Sequence, residues 1–284
     1  MRELNITVTA EEHGWQLQRL LKAHSFSHRT ITKLKHTGGL TRSGQTIRSI
    51  DPVAEGDVIT IVLEDEGGLV PNAELMAGIA YEDEDILIFD KPPYMAVHPS
   101  IKHRNDTLGN LFAALHPDTP FRAINRLDRN TSGLCVCAKN RFAAAALAKK
   151  VSKVYYAIVD GDMGSGEIDV PIGRVQDSII YRNVTPDGQP ALTLYSDERH
   201  GNGRTLSRVI LKTGRTHQIR VHFAHIGFPL CGDDMYGGDL SGIDRQALHC
   251  GEVSFTHPVS GKHITITSPI PQDMEALLTE KETT

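Results

Sequence analysis

Asp128 is the residue whose neighbours best suit it for chemistry. It lies in the stretch Ile124-Asn125-Arg126-Leu127-Asp128-Arg129-Asn130-Thr131-Ser132-Gly133-Leu134, between two arginines. A carboxylate beside a guanidinium is favoured in its ionised form. In that form it can act as a nucleophile or as a general base. Asn130 and Thr131-Ser132-Gly133 are turn formers, and the apolar run Leu134 to Ala138 has the length of a buried strand. The acid is therefore expected on a loop that enters a rigid strand, a common seat for a reactive group. For Arg-Leu-Asp-Arg alone, an ion pair that merely ties down the loop is the commoner explanation.

Three other stretches join rigid backbone to groups that bind or react. Asp90-Lys91-Pro92-Pro93-Tyr94-Met95-Ala96-Val97-His98-Pro99-Ser100 is stiffened by two prolines, and Pro99 restricts His98. Lys153-Val154-Tyr155-Tyr156-Ala157-Ile158-Val159 is β-branched and aromatic, as strands are, so Tyr155 and Tyr156 face opposite sides. In an isolated strand, Tyr155 reads first as a core aromatic. Thr213-Gly214-Arg215-Thr216 turns into a helix, His217 to His225, that begins near Thr216. Its free amides can receive an anion such as phosphate.

Together these stretches resemble the RluA-type pseudouridine synthases. The first is similar to the family's loop His-Arg-Leu-Asp-x-x-Thr-Ser-Gly, with Asn125 where His is usual. The second resembles Lys-Pro-x-Gly-Met-x-Val-His-Pro, with Tyr94 in place of Gly, whose Cβ is expected to set the loop differently. Lys153 to Ala157 fits Lys-x-Tyr-x-Ala. Thr213 to His222 matches Thr-Gly-Arg-Thr-His-Gln-Ile-Arg-Val-His at every position. Gly227 to Gly237, Leu248-His249-Cys250 and Phe255-Thr256-His257-Pro258 continue the likeness, which spans about residues 79 to 273.

The resemblance implies that Asp128 is the catalytic acid, Arg220 its partner and Tyr155 the ring lining the uridine pocket with Ile219 and Thr131. It implies that Arg126 enters the space left by an extruded uridine, and that Arg129 and Arg215 meet RNA. No metal or organic cofactor is called for. The implied fold is α+β: a mixed, mainly antiparallel sheet with flanking helices and a central cleft. The implied reaction detaches uracil from its ribose and rejoins it through carbon. Ribosomal RNA of the large subunit is the family's commonest target, and transfer RNA is an alternative.

Two rival readings exist. His217, His222 and His225 near Asp233-Asp234 suggest a metal hydrolase, but their spacing is no zinc signature. A catalytically silent RNA-binding or ribosome-assembly factor would keep the arginines, and the set Asp128, Tyr155 and Arg220 argues against it.

The 284 residues hold one large domain or two smaller ones. Residues 1–65 are expected to form a small basic RNA-binding domain. A linker over 66–78, a catalytic domain over 79–278 and a disordered tail over 279–284 follow. The net charge of −5 disfavours nucleic acid taken alone, but its distribution does not. From Arg19 to Arg48 there are seven Lys and Arg (Arg19, Lys22, Arg29, Lys33, Lys35, Arg42, Arg48) and no acid. From Asp51 to Asp90 there are twelve acids and no Lys or Arg. Such asymmetry marks an electrostatic footprint on one module.

In that module, Leu17, Leu20 and Leu21 have helical spacing. Ser27 can cap a second helix carrying Ile31 and Leu34, which Gly38-Gly39 ends. A Ser43-Gly44 hairpin and the strand Val58 to Leu63 follow. The order resembles an RNA-binding module shared by a small-subunit ribosomal protein and RNA-modifying enzymes. No apolar run approaches the roughly 18 residues of a membrane span. Four cysteines suggest no disulfide framework, and a cytosolic monomer with reduced thiols is the expectation.

Overall fold

The computed structural model describes residues 2–24, 26, 28–63, 69–176, 178 and 180–279. The chain divides into two compact units, Met1–Gly68 and Leu69–Thr284.

The first unit runs β1 (Arg2–Thr7), α1 (Leu17–Ala23), α2 (His28–Thr37), β2 (Leu40–Arg42), β3 (Gln45–Thr46) and β4 (Val58–Leu63). Its sheet has the order β1-β4-β2-β3, antiparallel throughout. Ile59 and Ile61 alternate inward from β4 and meet Leu17, Leu20 and Leu21 of α1 and Ile31 and Leu34 of α2. Fully burying each such side chain stabilises by about 1.5–3 kcal/mol. Gly38 ends α2 with φ +69, and Ser43-Gly44 turn the hairpin with φ +53 and +78. Two successive positive φ values are what a tight two-residue hairpin requires. The first strand, β1, goes unseen in the sequence, because its short Leu4/Ile6 alternation is too weak to read alone. The proposed Ser27 cap lies outside the described residues.

The second unit opens earlier than a linker over 66–78 would allow. Residues 66–68 lie outside the described residues. Val70 accepts a hydrogen bond from the Asn110 side chain, and the Asn72 amide donates to the Asn110 carbonyl, so this stretch packs on the second unit. There follow β5 (Gly78–Glu82), β6 (Ile86–Lys91), α3 (Leu108–Leu115), β7 (Ser132–Ala138), α4 (Arg141–Leu147) and β8 (Ser152–Asp160). Then come β9 (Gly166–Asp169), β10 (Ile172–Arg174), β11 (Arg182–Val184), β12 (Leu192–Gly201) and β13 (Arg204–Leu211). The unit ends with α5 (Gln218–His225), β14 (Leu248–Thr256), β15 (His263–Thr267) and α6 (Gln272–Leu278). Of the expected tail, residues 280–284 lie outside the described residues.

The main sheet has the order β5-β6-β7-β14-β8-β13-β12-β9, with β15 also on β14. The β7–β14 pairing is parallel and the others are antiparallel. This is the mixed, mainly antiparallel α+β architecture expected. Side chains on β8 alternate between two cores. Tyr155, Ala157 and Val159 join the larger one with Phe112 of α3 and Ile219 and Phe223 of α5. Ile158, flanked by Tyr156, joins Met274, Leu277 and Leu278 of α6. The four cysteines are buried free thiols.

Gly133 allows the parallel β7–β14 contact to form. Its φ is +107, and a Cβ there would sit 2.3 Å from the Cys250 carbonyl oxygen. Helix α4 stops at Leu147, with Lys149 left-handed (φ +60). The strands β9 and β10 are separated at Pro171, which lacks a donor for the ladder. One local expectation is corrected. The last large helix starts at Gln218, not near Thr216.

Candidate active site

Asp128 sits on the loop that enters β7, where three side chains hold the backbone. The buried Asn125 amide donates to the Leu134 carbonyl (3.1 Å) and accepts from the Val136 amide (2.8 Å). It thus laces the start of the loop to the strand that follows it. Thr131 is buried, and its hydroxyl accepts from the Gln246 side chain (3.1 Å). Lys91, at the end of β6, is 1% exposed and donates to the carbonyls of Pro92, Met95 and Arg129 at 2.7, 2.9 and 3.2 Å. It joins the proline-stiffened loop to the residue next to Asp128. Burial brings its pKa down to about 7.

Tyr94 occupies the slot where the related motif has Gly. The backbone there is left-handed all the same, with φ +64, so the Cβ does not reset the loop. The hydroxyl of Tyr94 bonds the Asp244 carboxylate, a contact that offsets part of the strain.

On α5, residues four apart on one side grip β12. The buried Gln218 side chain donates to the Leu192 carbonyl (3.1 Å) and the Thr193 hydroxyl (3.0 Å). Its oxygen accepts from the Arg215 amide and the Thr213 hydroxyl, both at 2.9 Å. His222 meets the Thr193 hydroxyl at 2.9 Å and the Val170 carbonyl at 3.1 Å. These bonds fix the helix and the turn before it. Two amides of the turn are taken within it, that of Arg215 by the Gln218 side chain and that of Gln218 by the Arg215 carbonyl (3.2 Å).

Arg220, between them in sequence, faces the cleft. Its Nε and Nη2 each donate to Asp233 at 2.7 Å, and Nη1 reaches Asp128 Oδ2 at 3.3 Å. Arg220 is 4% exposed and Asp233 fully buried. Burial alone would lower the Arg220 pKa, but Asp233 and then Asp128 outweigh it and hold it above the ordinary value. The guanidinium stays charged and lies 5.0 Å from the Tyr236 ring centre.

The cleft is lined by Arg126, Leu127, Asp128, Thr131, Tyr155, Leu211, Arg215, His217, Gln218, Ile219, Arg220 and Leu248. Apolar side chains of Leu127, Leu211, Ile219 and Leu248 thus share the cleft with one carboxylate, Asp128, and three guanidinium groups, Arg126, Arg215 and Arg220. Tyr155 is 6% exposed, and burial holds its hydroxyl well above the usual tyrosine range, so it stays protonated. Arg126 is exposed at the cleft, while Arg215 lines it with its Nε on the Pro190 carbonyl (3.0 Å).

The structure thus gathers Asp128, Tyr155, Arg220, Ile219, Thr131, Arg126 and Arg215 around one cleft. Arg129 is exposed but does not line it. In the first unit Arg19, Lys22 and Lys35 are exposed, whereas Arg42 and Arg48 are already paired with Asp57 and Asp51, each at 2.9 Å. The side chains of Arg29 and Lys33 lie outside the described residues. The sequence marks His217 and Asp233 only as candidate metal ligands, and it does not mark Lys91 as a site group at all. His217, His222 and His225 do not converge on a metal-binding group, because His222 is spent on β12 and the Val170 carbonyl.

The family described as RNA pseudouridylate synthase matches residues 85–225. The chain is 39% identical to an uncharacterized RNA pseudouridine synthase, YjbO, of Bacillus subtilis, over 95% of this chain and 98% of that one. It is 37% identical to the ribosomal large subunit pseudouridine synthase D of Escherichia coli, over 97% and 93% respectively. Among solved structures it resembles human RNA pseudouridylate synthase domain containing 1. There the TM-score is 0.57 and the identity 27%, over 70% of this chain and 85% of that one.

Proposed function

We propose a substrate and a set of residue roles for this chain, which belongs to the RNA pseudouridylate synthase family. It is a pseudouridine synthase, an isomerase acting on RNA. Its target in our reading is one or a few uridines of large-subunit ribosomal RNA. The support is the likeness, over nearly the whole chain, to relatives with that named specificity.

Asp128 is the reacting carboxylate in this reading. The observation that carries it is the Asp128–Arg220 contact at 3.3 Å within the cleft that Tyr155, Leu127, Leu211, Ile219 and Leu248 help to line. The ionised oxygen attacks C1′ of the ribose or removes the proton from the neighbouring carbon, and either step frees uracil. Arg220 orients the carboxylate through that contact. The Tyr155 ring supports the flipped base and excludes water. Arg126, exposed at the cleft, fills the gap in the RNA, where its planar guanidinium stacks and meets phosphate. Extruding the base costs a few kcal/mol. Exposed cations of the first unit, Lys22 and Lys35 among them, add phosphate contacts.

The test uses purified protein and a large-subunit ribosomal RNA transcript carrying 5-tritiated uridine. The wild type releases tritium and leaves pseudouridine at defined positions. Folded Asp128→Asn protein binds the RNA and releases none. Tritium release by that variant near the wild-type rate refutes the role of Asp128.

A further inference from the structure

We propose that His217 is a catalytic residue that carries the proton lost from C5 of the rejoined uracil. The inference rests on the pseudouridine-forming reading. Its basis is a histidine that the fold holds in a strained conformation against the reacting acid.

His217 immediately precedes α5 with φ +57 and ψ +21. A residue with a Cβ is strained in the left-handed region, and such strain gathers at functional sites. This backbone aims the ring into the cleft, where Nε2 lies 3.8 Å from Asp128 Oδ2. Nδ1 is taken by the Tyr236 hydroxyl at 2.9 Å, and that hydroxyl also accepts the Arg182 amide at 3.2 Å. Nε2 is therefore the working nitrogen. A hydroxyl can donate to Nδ1 or accept from it, so Tyr236 supports either tautomer. The groups facing the ring are Asp128, Arg220, Arg182, Asp233 and Tyr236. Burial lowers the imidazole pKa first, with Arg220 and Arg182 acting the same way against Asp128 and Asp233. The neutral, proton-accepting form is favoured.

The reaction needs such a group. Uracil leaves with the N1–C1′ electron pair, and C5–C1′ then forms as N1=C6 becomes a double bond, while the C1′–O bond to Asp128 breaks or, on the base route, Asp128 returns the proton to C2′. C5 then bears both C1′ and its original hydrogen. The C5–H bond breaks, its pair makes C5=C6, and the N1=C6 pair returns to N1. The proton passes to Nε2, and the imidazolium returns it to N1. The net change moves one proton from C5 to N1, and nothing is oxidised or consumed.

The test compares wild type, His217→Gln and His217→Phe on the same transcript, with uridine carrying hydrogen or deuterium at C5. Circular dichroism and an RNA-binding curve check folding. The proposal expects turnover at least tenfold lower in both variants, with RNA affinity within about threefold. It also expects a 5-deuterium effect on the variants' rate above 2, and rescue of His217→Phe by added imidazole. The wild-type acid limb, set below the ordinary imidazole range, should vanish in His217→Gln. Near-normal turnover, or a rate loss with neither deuterium effect nor rescue, overturns it. If the wild type makes no pseudouridine, the functional reading fails instead, and Asp128→Asn is the paired control.

Discussion

Asp233 holds two nitrogens of the Arg220 guanidinium at 2.7 Å each, and the third nitrogen reaches Asp128 at 3.3 Å. The buried acid thus sets where the arginine can lie, and the arginine in turn sets Asp128. Removing one partner of a buried pair strands the other charge, at about 3–5 kcal/mol. Asp233→Ala is expected to lose stability on that scale in urea unfolding. Asp233→Asn keeps the shape and is expected to fold, with kcat falling more than KM. Equal turnover in Asp233→Asn would show that Arg220 needs no such anchor.

Arg220→Lys is not a conservative change at this position. A single ammonium cannot reproduce the fork that serves two carboxylates at once. Turnover should drop by at least tenfold although the charge is kept, as single-turnover kinetics would read. Full activity in the lysine variant would reduce the guanidinium to a counter-ion.

Much of this site is legible in the sequence, because Asp128 and Arg220 each lie in a local pattern long enough to be distinctive, whereas Tyr155 reads as a core aromatic in its own strand and is placed only by the resemblance. Asp233 is not. Nothing in Gly232-Asp233-Asp234 separates the buried residue from its exposed neighbour. Its role exists only once the chain has turned back on α5. Lys91 is likewise an ordinary strand-end lysine until the fold surrounds it with three carbonyls. The strands β1 and β14 went unread because they are defined by distant partners, and β15 because its partner is β14, itself unread. Tyr94 shows the converse, where a local rule favouring glycine at a left-handed position is overridden by the bond to Asp244.

The Tyr94 position gives a stability test. At φ +64 glycine is free of the strain that any Cβ suffers, by about 1 kcal/mol. Tyr94→Ala loses the Asp244 bond and keeps the strain, whereas Tyr94→Gly loses both. Chemical denaturation should find Tyr94→Gly the more stable of the two variants. The reverse order would mean that the loop relaxes out of the left-handed region.

Lys91 ties stability to pH. Its pKa is about 7 in the folded chain against an ordinary value of 10.5, with burial as the cause. Between those values the unfolded chain binds more protons, so this group raises stability as pH rises. The slope is at most about 1.4 kcal/mol per pH unit, and the three carbonyls make it smaller. Relative to Lys91→Met, the wild type should gain stability from pH 7 to 10. A constant difference across that range would show the ammonium to be fully accommodated by its carbonyls.

Charge on the first unit is expected to act through phosphate. Lys22→Gln and Lys35→Gln should each weaken RNA binding and lower the slope of log K against log salt by about 0.7. Arg48, already paired with Asp51, should matter less. Unchanged slopes in both lysine variants would make the basic face a solvated surface.

The most direct measurement maps pseudouridine in total RNA from three strains of the source organism: gene intact, gene deleted, and gene replaced by the Asp128→Asn form. The account predicts that one or a few uridines of large-subunit ribosomal RNA lose modification in both altered strains. Modification that disappears on deletion but persists with Asp128→Asn would contradict it.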